Sequence, residues 1–305
     1  MLRPFLIAIL ILSTSNSSAS AERDNICGDP HISCPALVYQ GLTYPYPRES
    51  GSFLFIDGAS YPYTKITEDL LGDSEVRLPG DITLKVSDLL EKLGLGGLKN
   101  QRLHAVVGYG SNPAPSQLSR KYASDIGSGG IVMPVIKGSI ENYDVVWTPL
   151  FVQYGGMPST LFPSPGTKTD IWINWMTTDQ RERADQTERL SENWYTRTTL
   201  SPEAVEFAGP NLDMLEVYIS CYGALDLGDG PIAVSAIPAR GRVFASLSSP
   251  GALQAVLSRF PQYETIIDLL YANVEEPEIA VKNTETLADL RLFPESGAHS
   301  AKTCK

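Results

Sequence analysis

The residues best suited to chemistry fall in three short stretches. The first is Gly108-Tyr109-Gly110-Ser111-Asn112-Pro113, which follows the apolar run Leu103-His104-Ala105-Val106-Val107. A strand that ends in a glycine turn and opens a helix aims backbone N–H groups and a positive dipole end at one spot, a site for a carboxylate or phosphate. A dinucleotide fingerprint is excluded, because Pro113 stands where the third glycine of G-x-G-x-x-G would fall and no ribose-binding acid follows about 20 residues on. The second stretch is Gln153-Tyr154-Gly155-Gly156-Met157-Pro158-Ser159-Thr160-Leu161, closing with Phe162-Pro163-Ser164-Pro165-Gly166. It reads either as a loop and hairpin or as a backbone wall that a ligand can approach closely. The third is the pair Asp185 and Glu188, three apart on one helical face. Amid Arg181, Glu182 and Arg183 it fits a solvated surface; a carboxylate shielded by protein would instead serve as a general base.

Other chemistries fall away. There is no G-x-S-x-G elbow, no H-E-x-x-H and no P-loop lysine motif. The three histidines, His31, His104 and His299, are scattered, and His104 sits in a strand pattern, which leaves a Ser/His triad few candidates. Asp226-Leu227-Gly228-Asp229-Gly230 lacks the downstream ligands of a calcium loop and reads as a turn. No metal and no cofactor is expected.

Several elements must position these stretches. Ser52–Ile56 is a short apolar strand between Tyr44-Pro45-Tyr46-Pro47 and Tyr61-Pro62-Tyr63. Ser87 caps a helix through Leu93 that Gly94 stops. Asn112 caps a second helix with Pro113 at its first position, running through Tyr122. Strands follow at Ile131–Ile136, Tyr143–Trp147 and Asp170–Met176, the last alternating with period two. Thr177 and Gln180 form a capping box that opens a polar helix to about Leu190. Leu215–Cys221 and Pro231–Pro238 read as strands, and Pro250–Phe260 and Tyr263–Tyr271 as amphipathic helices. Beyond Asn273 the pattern is that of a charged surface tail. The irregular order implies an α+β fold around a mixed, barrel-like β-sheet with surrounding helices.

The envelope of the chain points to export. Met1-Leu2-Arg3, the apolar run Pro4–Leu12 and the site Ala19-Ser20-Ala21 are the three parts of a cleavable signal peptide. A periplasmic or secreted protein is expected after cleavage near Ala21. The mature chain would keep 284 residues and a net charge of −12, since Arg3 leaves and all 35 acidic residues stay. An acidic chain without a basic stripe argues against nucleic acid as partner. No later run approaches the roughly 20 apolar residues of a membrane span. Four cysteines, Cys27, Cys34, Cys221 and Cys304, suggest disulfides in an oxidising compartment. All three pairings remain open; Cys27–Cys34 would close a small loop and Cys221–Cys304 would fasten the C-terminal tail. The chain divides into a signal at 1–21, a Tyr/Pro-rich extension at 22–100, a central domain at 101–273 and a tail at 274–305.

Together, the three chemical stretches resemble the γ-glutamylcyclotransferase family over roughly residues 103–200. The matching elements are Tyr109-Gly110-Ser111-Asn112, then Gly155-Gly156 before Ser164-Pro165-Gly166 and the tryptophan strand Ile171-Trp172. Last comes the helix Ala184-Asp185-Gln186-Thr187-Glu188, with Tyr195 seven residues on. The resemblance implies a small mixed barrel ringed by helices. It implies that main-chain N–H groups of residues 109–112 hold the α-carboxylate end of a γ-glutamyl group, with Gly155, Gly156 and Tyr195 also on the substrate. Glu188 would take a proton from the substrate's α-amine, which attacks its own γ-amide carbonyl and releases 5-oxoproline and an amine. Glu192 is a second candidate for that base. Holding the substrate folded supplies much of the acceleration, with no cofactor. The implied partner is a small molecule or peptide with a γ-glutamyl-like group. The other reading is a non-catalytic extracytoplasmic binding module that uses the same loop for a small carboxylate or peptide.

Overall fold

The computed structural model describes residues 34–125, 130–294 and 304. The signal segment and Cys27 lie outside the described residues. Helix α1 (Cys34–Thr43) is followed by strands β1 (Phe53–Ile56), β2 (Ala59–Lys65), β3 (Glu75–Leu78) and β4 (Ile82–Lys85), then helix α2 (Val86–Lys92). Strand β5 (His104–Gly108) leads to helix α3 (Pro115–Lys121) and the long strands β6 (Val132–Trp147) and β7 (Ser159–Met176). Helix α4 (Thr178–Thr187) precedes β8 (Tyr195–Leu200), β9 (Val205–Phe207) and β10 (Leu215–Ser220). Four two-residue strands follow: β11 (Ala224–Leu225), β12 (Ala233–Val234), β13 (Ala239–Arg240) and β14 (Ser246–Leu247). Helices α5 (Ser249–Val256), α6 (Ile266–Glu275) and α7 (Pro277–Thr286) and strand β15 (Arg291–Leu292) complete the chain.

The fold is α+β, built on one mixed sheet of order β4-β3-β2-β1-β6-β7-β5-β10-β8. Its neighbours run antiparallel except β5 and β10, which are parallel. The period-two pattern of the strands separates two cores rather than a core from water. Ile171, Ile173 and Trp175 of β7 join Ala105, Val107, Val217 and Ile219 in one cluster. Trp172 and Met176 join Val106, Tyr218, Phe53 and Phe55 in another. Both faces of the central strands are therefore buried, which accounts for the near-continuous apolar runs of β1, β5 and β10.

Several sequence expectations are corrected. Residues 131–136 and 143–147 are one strand, β6, because the polar stretch between them pairs with β7 on one side and β9 on the other. Ser164-Pro165-Gly166 does not close a hairpin. Glu141 pairs with Lys168 and Tyr143 with Pro163, so the motif is extra chain bulging opposite Asn142. The Gly166 N–H donates to Asn142 Oδ1 at 3.0 Å. Helix α2 starts at Val86, capped by no side chain, so Ser87 lies inside it; Gly94, at φ +75°, does follow its end. The capping box at Thr177 is present, with Thr177 Oγ1 accepting from the Gln180 N–H and Gln180 Oε1 from the Thr177 N–H. Asp226 organises a turn, its Oδ1 accepting from the Gly228 and Gly230 N–H groups.

The extension and the tail are both integrated. β1 pairs with β6, so residues 53–85 continue the main sheet. After Asn273 the chain forms α7, held by Asn283 donating to Asn273 Oδ1 and by Thr284 Oγ1 accepting from the Phe151 N–H. Polar side chains tie this helix down, which is why hydropathy misses it. Cys34 is disulfide-bonded, and Cys221 pairs with Cys304 across a sequence separation of 83.

Candidate active site

Strand β5 lies between β7 and β10 and delivers Tyr109-Gly110-Ser111-Asn112 at its end. The expected helix cap is not formed there. Helix α3 begins at Pro115 with Ala114 as its N-cap, so the short helix has no dipole end at residue 110. Asn112, freed from capping, turns to the side-chain cluster that defines the site. Its Nδ2 donates to Glu188 Oε1 at 3.1 Å, and its Oδ1 accepts from Lys121 Nζ at 2.9 Å. Lys121 Nζ also donates to Glu188 Oε1 at 2.9 Å, which closes a three-membered ring. The Lys121 side chain is 2 % exposed and that of Glu188 is 16 % exposed. Two helix ends supply these charges: Lys121 is the last residue of α3 and Glu188 the C-cap of α4.

A cavity of about 90 Å³ opens over this ring. That is room for a few waters or an amino-acid-sized group. Residues 109–112, Glu188 and Tyr195 all line it, so the loop and the acid meet across one pocket. Tyr44, Tyr154, Tyr218, Ser159 and Trp194 form the remaining walls that matter here. Tyr44 comes from the Tyr-Pro stretch after α1 and shares a 2.7 Å hydrogen bond with Ser159 Oγ at the start of β7. Tyr109 Oη donates to the Tyr218 carbonyl at 2.6 Å, and Tyr195 Oη donates to the Ser159 carbonyl at 2.9 Å. Burial pushes the Tyr44 phenol up to about 12 and holds Tyr109, Tyr154 and Tyr195 well above the usual range. At neutral pH these phenols stay protonated and can donate, but none can act as a base.

The other expected residues sit elsewhere. Gly155 and Gly156 lie behind the wall rather than on the cavity. A Cβ on Gly155 would fall 2.6 Å from the Leu270 carbonyl oxygen, and one on Gly156 2.9 Å from Gly41 Cα, so this pair lets helices α6 and α1 pack closely. Asp185 is outside the cavity, accepting from Tyr218 Oη at 2.7 Å and pairing with Arg197 at 3.3 Å. Glu192 pairs with Arg189 at 2.8 Å and does not line the cavity. The guanidinium of Arg189 lies 4.7 Å from the Trp194 ring centroid, turned toward Glu192. Behind the loop, Asn174 Nδ2 donates to the Asn112 carbonyl at 3.0 Å and fixes that residue's backbone.

The sequence points to Tyr154 and Ser159 only as part of the glycine stretch 153–161, and it gives no sign of Lys121, Tyr44, Trp194 and Tyr218. A lysine in the last turn of a helix reads as a solvated charge near the negative dipole end, and nothing local to Tyr44 ties it to residue 110. Among the described residues no cluster of metal-ligating side chains occurs and no helix is long and apolar enough to cross a membrane.

No protein-family model and no curated protein matches the chain. Its fold is similar to that of a solved structure described as gamma-glutamyl cyclotransferase, at 13 % identity and a TM-score of 0.28, covering 66 % of this chain and 95 % of that one. It is also similar to the crystal structure of an uncharacterized protein from Homo sapiens, at 13 % identity and a TM-score of 0.28, covering 67 % of this chain and 96 % of that one.

Proposed function

We propose that this chain is an exported enzyme of γ-glutamylcyclotransferase type, cleaving a γ-glutamyl amide to 5-oxoproline and a free amine. The observation that carries the reading is that the Glu188 carboxylate faces the Tyr109–Asn112 loop across the cavity instead of pointing to solvent. The hydrogen bonds from Asn112 and Lys121 both fall on Glu188 Oε1, and among the described residues none falls on Oε2. Oε2 is therefore the atom for proton transfer. It accepts a proton from the substrate's α-ammonium, and the freed nitrogen attacks the γ-carbonyl carbon. As that C–N bond forms and the amide C–N bond breaks, Glu188 returns this proton to the departing nitrogen, then takes the second proton that the ring nitrogen must lose and releases it to the free amine, which leaves as its ammonium ion. The nucleophile belongs to the substrate, so the protein supplies one base and a constrained pocket. Export is supported by the N-terminal signal pattern and agrees with the Cys221–Cys304 disulfide.

Purified protein incubated with a panel of γ-glutamyl peptides is expected to release 5-oxoproline, with release slowed roughly 10²- to 10⁴-fold in Glu188→Gln. No release across the panel would sink the enzyme reading. One observation favours the second reading, a non-catalytic module that binds a small carboxylate or peptide: Lys121 already holds one oxygen of the carboxylate. Saturable ligand binding without turnover would establish it.

A further inference from the structure

The cavity has an unusual charge content. Only two of its lining residues carry a formal charge, Lys121 and Glu188, and they stand 2.9 Å apart. The rest of the wall is neutral, and its buried phenols keep their protons. Each charged group also has capacity left. An ammonium carries three N–H donors, and Lys121 Nζ spends two, on Asn112 Oδ1 and Glu188 Oε1. The carboxylate Oε2 accepts no hydrogen bond among the described residues. A cation and an anion side by side, each with one open valence, in a cavity of about 90 Å³, complement one kind of ligand head. That head is an α-amino-acid zwitterion, with its ammonium on Glu188 and its carboxylate on Lys121.

We infer that Lys121 is the receptor for the substrate's α-carboxylate, and that the Lys121–Glu188 pair selects ligands whose α-amino and α-carboxylate groups are both free. The inference deepens the proposed function and rests on it only for the identity of the γ-linked substrate. Helix α3 starts beyond the glycine turn and directs no dipole at it, so the formal positive charge on the cavity wall is that of the Lys121 ammonium. The selected class is amides of the distal carboxyl of an acidic amino acid. A compound acylated on its α-nitrogen or amidated at its α-carboxyl is rejected, because burying a charge against no partner is costly.

The test uses the full chain and reads binding separately from turnover. L-Glutamate, 5-oxoproline and isoglutamine, the α-amide of glutamate, are titrated by calorimetry against wild type and Lys121→Gln. The glutamine amide can still donate to Glu188 but carries no charge, and an unchanged melting temperature shows that the variant folds. Wild type is expected to bind L-glutamate roughly 10- to 100-fold more tightly than isoglutamine, the loss typical of one charge-assisted hydrogen bond. In Lys121→Gln that preference is expected to collapse to within about threefold. If Lys121→Gln does not fold, Lys121→Arg serves, expected to keep the preference with weaker binding. Equal wild-type affinity for the two ligands overturns the inference, as does a preference that survives Lys121→Gln. Selective binding without release of 5-oxoproline from any γ-glutamyl amide would instead overturn the enzyme reading and leave the zwitterion site standing.

Discussion

Replacing Gly110 by alanine places a Cβ 2.4 Å from Tyr44 Oη and 2.9 Å from Ser159 Oγ, two atoms already hydrogen-bonded to each other at 2.7 Å. Neither can retreat cheaply. Tyr44 is buried, stacks on Tyr154 at 6.0 Å and tilts against Trp147 at 5.6 Å. Its Oη also accepts from the Ser159 N–H at 3.2 Å. Overpacking of this kind costs roughly 1–3 kcal/mol, offset by about 0.4–1 kcal/mol from the stiffer unfolded chain. The expected net loss is about 1–2 kcal/mol, or a melting temperature lower by roughly 1.5–3 °C, since the unfolding entropy of a 305-residue chain is about 0.6 kcal/mol/K. Tyr44→Phe removes the obstructing oxygen, leaving its ring carbon 3.5 Å from the added Cβ, an ordinary contact. It also frees the Ser159 hydroxyl to rotate away. Gly110→Ala should therefore cost at least about 1 kcal/mol less in the Tyr44→Phe background, a coupling readable from a double-mutant cycle of chemical or thermal unfolding. An additive cycle would refute the reasoning, as would a Gly110→Ala variant as stable as wild type.

Three further outcomes follow from the same structure. Desolvation and the neighbouring Arg181 guanidinium lower the His104 imidazole below its usual range, and Arg181 can only donate to Nδ1 at 3.0 Å, so the neutral Nε2–H form is the one that fits. Stability from this group is present above about pH 6.5 and is lost as pH falls through the lowered value; melting curves of His104→Gln should fall less between pH 7 and 5 than those of wild type, and parallel curves would contradict this. Arg242 clamps Asp144, which is 0 % exposed, through contacts of 2.8 and 2.9 Å, so Arg242→Leu should cost roughly 3–5 kcal/mol by denaturant titration, with partial recovery in Arg242→Leu/Asp144→Asn. Cutting the Cys221–Cys304 link by Cys221→Ser releases a loop of separation 83 and should cost at most roughly 4–5 kcal/mol; an unchanged denaturation midpoint would show that the link adds nothing to the stability of the fold.

Much of the site was legible because its parts are local. The strand at 104–108 and the glycine turn after it declare themselves by hydropathy and by residue type, and the capping box at Thr177 locates the helix that carries Glu188. What stayed hidden depends on long-range pairing. Nothing near Tyr44 reveals that its hydroxyl meets Ser159, 115 residues away. Lys121 looks like any solvated helix-end cation until α4 brings Glu188 beside it, 67 residues on. β6 reads as two strands and β7 as its second half alone, because the mostly polar residues 137–142 and the Ser164-Pro165-Gly166 bulge look like turns, although the ladder between β6 and β7 runs past both. Gly155 and Gly156 show the reverse failure. Their type suggested a ligand wall, and their role is to let α1 and α6 approach.

Loop and acid pair across one small cavity, and their role in turnover is tested most directly by following 5-oxoproline release from γ-glutamyl peptides by wild type and Glu188→Gln. Wild type is expected to release 5-oxoproline and the variant to show a kcat lower by roughly 10²- to 10⁴-fold, with KM changed far less, as for loss of a general base. Equal turnover by both proteins would contradict it, because the carboxylate facing the Tyr109–Asn112 loop would then have no part in the chemistry.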